Sequence, residues 1–183
     1  MPRRRRRSRR TRKIRILLAV LALLAFTLWY ISGHGPMPGG DVVARVLFSE
    51  TASCSSQERL LVAGVMKNRI ANPAFGNFPT LQAVVLQRGA FSCINDPANA
   101  NWQRTRHLSR MSSRERTIWQ QCLTLVHASI PPAYGPSGRP LVYYHDKSIT
   151  KPPSWDNRRY HAIHELTTAH FLFYSILPTD AAP

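Results

Sequence analysis

Apolar and polar positions alternate along this chain in blocks that predict a run of helices followed by strands. Residues 16–31, ILLAVLALLAFTLWYI, carry no charge at all. Residues 33–40, GHGPMPGG, read as a short flexible spacer. Asp41 is placed to cap a helix starting at Val42, which sets Val43, Val46 and Leu47 on one face and Glu50 a turn beyond. A small polar loop comes next, and Ser55-Ser56-Gln57-Glu58 fits the S-x-x-E capping box. The helix it opens is expected to run to about Ala71, before Pro73. Leu60, Leu61, Val62, Ala63, Val65 and Met66 cover nearly every face, so this helix is expected in the middle of the domain.

Thr80 caps a short helix, Leu81 to Gln87, that ends at Gly89. GAFSCINDPANANW reads as loop. A second capping box, Ser112 to Glu115, opens a helix to about Ser129, stopped by Pro131-Pro132. After the YGPSGRP turn, LVYYHD is strand-like. Residues 160–177 are aromatic and apolar and close the domain, with helix and strand both open for their second half. The pattern is that of a predominantly helical α+β domain.

Charge changes the picture at one end only. The net charge of +16 suggests a nucleic-acid binder until it is located: residues 1–15 hold ten Arg or Lys and no acid, leaving 15 basic against 9 acidic residues elsewhere. A basic tail abutting an apolar run is a topology signal, with the tail in the cytoplasm and the rest outside. The apolar run spans roughly 24 Å as a helix, with Trp29 and Tyr30 at its far end. A cleaved signal peptide competes with an uncleaved anchor; the absence of a small-residue cleavage site favours the anchor. The expected organisation is a basic tail (1–15), a transmembrane signal anchor (16–32), a linker (33–40), one domain (41–177) and a tail (178–183).

The nine acids bound the candidate chemistry. Glu58 and Glu115 sit in caps, and Asp41 and Asp180 are terminal to the domain. Glu50 has no structural assignment and stands beside a helix expected to be buried. A carboxyl group in an apolar pocket is held protonated and can act as an acid; the plainer reading is an exposed Glu at a helix end. His161, His164, Glu165 and His170 follow neither HExxH nor HxxEH, so core or surface histidines are expected. Cys54, Cys93 and Cys122 have no metal spacing, and no metal or other cofactor is expected. There is no GxSxG and no phosphate-binding glycine loop.

The order of motifs resembles the SleB-type cell wall hydrolase family, the catalytic domain of spore-cortex-lytic enzymes. The residues that carry the resemblance are Ala44-Arg45 through Glu50, Asn68-Arg69 eighteen residues later, Gly89-Ala90-Phe91-Ser92-Cys93, Tyr143-Tyr144-His145 with Pro152-Pro153-Ser154-Trp155, and His170 with Phe171, Phe173 and Tyr174. It covers residues 42–175. The family often has a second Glu where Cys54 stands, and glycines where Thr168 and Ala169 stand.

The resemblance implies a lysozyme-like domain that cuts the bond between N-acetylmuramic acid and N-acetylglucosamine in peptidoglycan, as a lytic transglycosylase with Glu50 as its single acid. Phe91, Tyr144 and Trp155 would be sugar platforms, and Ser92, His145 and Asn68 would bind substrate. Core packing is the alternative for each aromatic, more readily for Phe91 than for Trp155. Glycan strands are then the partner, alongside the membrane, with no nucleic acid and a monomeric protein in the periplasm or extracytoplasmic space. Two rival readings are a plain glycosidase using Asp96 as second carboxylate and a non-catalytic wall-binding relative. Cys54 and Cys93 flank the proposed site, and a disulfide between them is expected to pin its two loops.

Overall fold

The computed structural model describes residues 18–22, 24–25, 39–96, 98–150 and 160–178. The chain divides into two units, Met1–Met37 and Pro38–Pro183. In the first, residues 18–22 and 24–25 are helical. Among the described residues no helix is long and apolar enough to cross a membrane. The basic tail, most of the expected anchor at 16–32, residues 33–38, the loop at 151–159 with Trp155, and the tail beyond 178 lie outside the described residues.

The second unit is a helical layer against a small sheet. Its helices are α1 (Gly39–Thr51), α2 (Ser56–Asn68), α3 (Leu81–Val85), α4 (Ser92–Asn95), α5 (Ala100–Arg104) and α6 (Ser113–His127). The strands are β1 (Tyr143–Asp146), β2 (Tyr160–Thr167) and β3 (Phe171–Pro178). They form an antiparallel sheet of order β1-β3-β2. The mixed class expected from sequence holds, and residues 160–178 are a β-hairpin with its turn at 168–170.

Both capping boxes form: Ser55 with Glu58 opens α2, and Ser112 with Glu115 opens α6. Thr80 caps α3 through Ala83 N at 3.1 Å. Three expectations need correction. Helix α1 starts at Gly39, so the linker does not reach residue 40 and Asp41 lies inside the helix instead of capping it. The segment expected as loop, residues 89–102, holds the short helix α4 and the start of α5; Asn99 within it caps α5 through Trp102 N at 2.9 Å. Finally, α1 and not α2 is the central helix. Residues 42–49 of α1 are all buried, whereas Leu60 and Lys67 of α2 are exposed.

Arg45 conceals the burial of α1 at the sequence level. It is 1% exposed, because its charge is satisfied internally. Nε donates to Thr105 Oγ1 at 2.7 Å, Nη2 donates to Trp102 O at 3.2 Å, and the guanidinium lies over the Trp102 ring at 3.9 Å. A buried cation with hydrogen-bond partners and an aromatic face is tolerated where a bare one is not. The helix is packed against α6 through Phe48, whose ring meets Trp119 edge-on at 6.1 Å. This helix, buried from residue 42 to 49, carries Glu50 in its last turn.

Candidate functional site

Glu50 emerges from the buried helix α1 half-exposed, in the wall of a groove of about 600 Å³. The groove is assembled from four distant segments. They are the end of α1 (Ser49, Glu50), the end of α2 and the turn after it (Arg69, Phe75), the loop from Gln87 to Ser92, and β1 together with the residues just past it (Tyr143 to Asp146, Ile149). Phe171 of β3 completes it.

The Glu50 carboxylate is held by polar groups, which corrects the expectation of an apolar pocket. Ser92 Oγ donates to Oε1 at 3.2 Å, and Cys93 N lies 3.5 Å from the same oxygen. Tyr144 OH donates to Oε2 at 3.3 Å. Burial and the adjacent Glu50 carboxylate hold the Tyr144 phenol well above its ordinary value, so it stays a proton donor across the neutral range. Beneath them Arg69 is buried. Its Nε donates to Val142 O at 2.8 Å, and its guanidinium faces Phe75, Phe91 and Tyr143 at 5.0, 5.3 and 5.6 Å. Burial pushes the Arg69 pKa down, while Tyr144, Tyr143 and Glu50 push it back up. A guanidinium keeps its proton in such a setting, so a fixed positive charge underlies the groove.

Of the residues expected to bind substrate, Ser92 and Tyr144 converge on Glu50. Phe91 lines the groove but is only 2% exposed; its ring is packed under Arg69, so it is wall and not a free sugar platform. His145 is buried, with Nδ1 2.9 Å from Asp146 O and Nε2 3.0 Å from Tyr174 OH, and it stacks on Tyr174. Nδ1 is engaged within β1, and Nε2 links β1 to β3 through Tyr174. Asn68 lies outside the groove. Its Nδ2 donates to Ala133 O at 2.6 Å and Leu141 O at 2.8 Å, so it ties α2 to the chain entering β1. Trp155 lies outside the described residues.

The expected Cys54–Cys93 disulfide is absent, and all three cysteines are free and buried. The two thiols serve different surroundings. Cys54 interacts with Glu58, Ser53 and Arg59, whereas Cys93 faces Glu50 and Ser49, with burial and then Glu50 pushing its thiol up. Cys122 is a core residue of α6, its thiol pushed up to about 12 by burial.

Asp96 is exposed, accepts from Ala98 N at 2.9 Å, and does not line the groove. The groove does have a second carboxylate, Asp146, which sequence reasoning missed. Hydrogen bonds from Ser148 hold its pKa below the usual range. Its position directly after Tyr144-His145 was the available signal. Phe75 and Tyr143, whose rings meet at 5.0 Å, are further walls that were not foreseen.

The H-x-x-H-E run on β2 does not gather ligands. Glu165 sits at a bulge between His164 and Leu166 and turns to Ser175 Oγ at 2.7 Å, Ser137 Oγ at 2.6 Å and Arg139 at 3.3 Å. A larger cavity, about 990 Å³, lies between α2 and α6. It is lined by Arg59, Arg116, glutamines, hydroxyls and leucines, with no acid, histidine or cysteine to move a proton.

A family model described as Cell Wall Hydrolase matches residues 54–172. The match starts four residues after Glu50 and takes in Asn68-Arg69, Phe91-Ser92, Tyr143 to Asp146 and His170-Phe171. No curated protein and no solved structure matches the chain.

Proposed function

For a chain that belongs to the cell wall hydrolase family, we propose cleavage of the glycan strands of peptidoglycan, with Glu50 as the acid. The observation that carries this reading is the placement of Glu50. It is a half-exposed carboxylate in the wall of a groove, fixed by Ser92, the Cys93 N–H and Tyr144. Both carboxylate oxygens accept hydrogen bonds, Oε1 from Ser92 and Oε2 from Tyr144, and these fix the carboxyl group in the groove wall. Protonated Glu50 gives its proton to the glycosidic oxygen as the bond to C1 of the muramic acid breaks. In the transglycosylase form, the C6 hydroxyl of that sugar closes on C1 and returns its proton to Glu50. The products are a 1,6-anhydro sugar and a free 4-hydroxyl, and no water is consumed.

A second reading is favoured by Asp146. A carboxylate in the same groove could activate water, giving plain hydrolysis. Digesting purified peptidoglycan and weighing the muropeptides distinguishes the two: anhydro products support the first, and products one water heavier support the second. Glu50→Gln is expected to lower the rate by about 10²–10⁴-fold. Digestion by the wild type and the variant at equal rates would remove Glu50 from the chemistry, and no digestion by the wild type would favour a wall-binding protein.

Trp155 is proposed to stack on a sugar ring of the substrate. The uncharged run at 16–32 behind ten basic residues is proposed as a signal anchor, tail inward, that keeps a monomeric domain facing the wall. The domain's residual positive charge suits an anionic polymer. Alkaline extraction of membranes tests the anchor: release of the protein into the supernatant would refute it.

A further inference from the structure

Cys54, Glu58 and His170 come together where the loop after α1 meets the turn of the β2–β3 hairpin. Each presents one ligand atom, and the three atoms lie within 4.8 Å of one another. The first two belong to one turn of chain; the third arrives from 112 residues away. From these contacts we propose that Cys54, Glu58 and His170 bind a borderline-soft divalent cation of the zinc type.

The donor set supports this choice. A thiolate, a carboxylate and an imidazole together suit zinc better than magnesium or calcium, which take oxygen ligands. Ligands of a tetrahedral zinc ion stand about 3.5 Å apart, given bonds of about 2.0–2.3 Å. His170 Nδ1 is already 3.0 and 3.2 Å from the two Glu58 oxygens. Cys54 Sγ lies within 4.8 Å of both, and closing to about 3.5 Å would complete such a site.

The carboxylate is held in place from behind, as metal ligands usually are. Ser55 N and Ser55 Oγ each donate to Glu58 Oε2 at 3.0 Å, and His170 N donates to Oε1 at 2.9 Å. Cys54 and Glu58 are buried, while the His170 side chain is 41% exposed. Three protein ligands with one solvent-facing side leave a position for water.

The electrostatics agree. Burial and then the Glu58 carboxylate push the Cys54 thiol up to about 11, with Asp146 adding to this and Ser53 and Arg59 opposing it. A dication between the thiol and the carboxylate reverses that repulsion. Binding releases the Cys54 proton and, where Nδ1 carries one, the His170 proton. The ion would clamp the chain just after Glu50 to the hairpin turn, beside the Asp146 wall of the groove. It takes no part in the cleavage chemistry proposed above.

The test uses the full chain, stripped with EDTA and kept reduced with a phosphine. Zinc alone is titrated, followed by cobalt as a spectroscopic probe. One ion per chain, a rise in Tm and a thiolate-to-cobalt charge-transfer band are expected. Cys54→Ser is expected to abolish the band, and His170→Gln to weaken zinc binding by about 100-fold, since even groups behind metal ligands are worth about 10–100-fold. Cys93→Ser, Cys122→Ser and His161→Ala are expected to bind as wild type does. Glu50→Gln is also expected to bind zinc normally, so failure of the metal site and failure of the cleavage reading are distinguishable. No binding below millimolar zinc, a cobalt complex without the band, or a band that survives in folded Cys54→Ser would each overturn the proposal.

Discussion

Glu58→Gln, studied in EDTA, is the most demanding test of how this fold is held. Glu58 is buried and joins two distant segments, capping α2 through Ser55 and receiving His170 N and Nδ1 from the hairpin turn. Burial alone would raise its pKa. Hydrogen bonds from Thr168, His170 and Ser55 outweigh that and bring it from 4.5 down to about 2. At about 1.4 kcal/mol per unit, the folded state favours the ionised carboxylate by about 3 kcal/mol. The folded value is depressed, so this stability is fully present above pH 4.5 and is lost as the pH falls through 2. Gln keeps the shape but offers one acceptor oxygen, and its amide hydrogens face groups that also donate. Urea unfolding at pH 7 is therefore expected to show a loss of about 3 kcal/mol, a large share of the stability of an ordinary domain. The difference should shrink to under about 1 kcal/mol by pH 2 as wild type loses the same contribution. Asp146, Glu115 and Glu165 also have lowered pKa values; they titrate in both proteins and cancel in the difference. A gap that stays constant with pH, or a loss below about 1 kcal/mol at pH 7, would refute the reasoning.

Two further substitutions probe the frame around the groove. Gly64→Ala places a Cβ 2.6 Å from Ala133 Cβ and 2.8 Å from Ala133 N. The clash with fixed backbone should outweigh the helix-propensity gain and lower Tm by about 3–6 °C, and an unchanged or raised Tm would refute it. Asn68→Ala takes the side-chain donor from Leu141 O and one of two donors from Ala133 O, which keeps Leu141 N at 2.9 Å, so about 1–3 kcal/mol of stability should be lost in urea unfolding. Peptidoglycan digestion by the folded fraction should keep its KM, and a raised KM with unchanged stability would return Asn68 to the substrate site.

Much of this was legible locally. The two capping boxes, the Thr80 cap and the start of α3 depend on residues three or four apart, and such short-range hydrogen bonds form wherever the helix forms. Glu50 stood out because it was the acid without a local task. The reading failed where burial depended on a distant partner. Nothing in the local sequence announces the burial of Arg45, which rests on Thr105 and Trp102, 60 and 57 positions away. Asn68 and His145 carry structural bonds that no local pattern announces: Asn68 to the carbonyls of Ala133 and Leu141, and His145, which also lines the groove, to Tyr174 OH.

By itself, then, the sequence determined the helical periods and the strand at LVYYHD, both capping boxes, the basic tail with its apolar run, and the motif order that points to a cell wall hydrolase; that residues 171–178 are strand came from their pairing with β1 and β2. Tertiary structure alone decided that α1 is the central helix. It also decided that Cys54 and Cys93 face different carboxylates, that Asp146 and not Asp96 shares the groove with Glu50, and that His170 reaches Glu58. The physical reason is that caps and periods are set by neighbours along the chain. Which polar group is satisfied, and which is left facing the groove, is set by contacts between residues 40 to 112 positions apart.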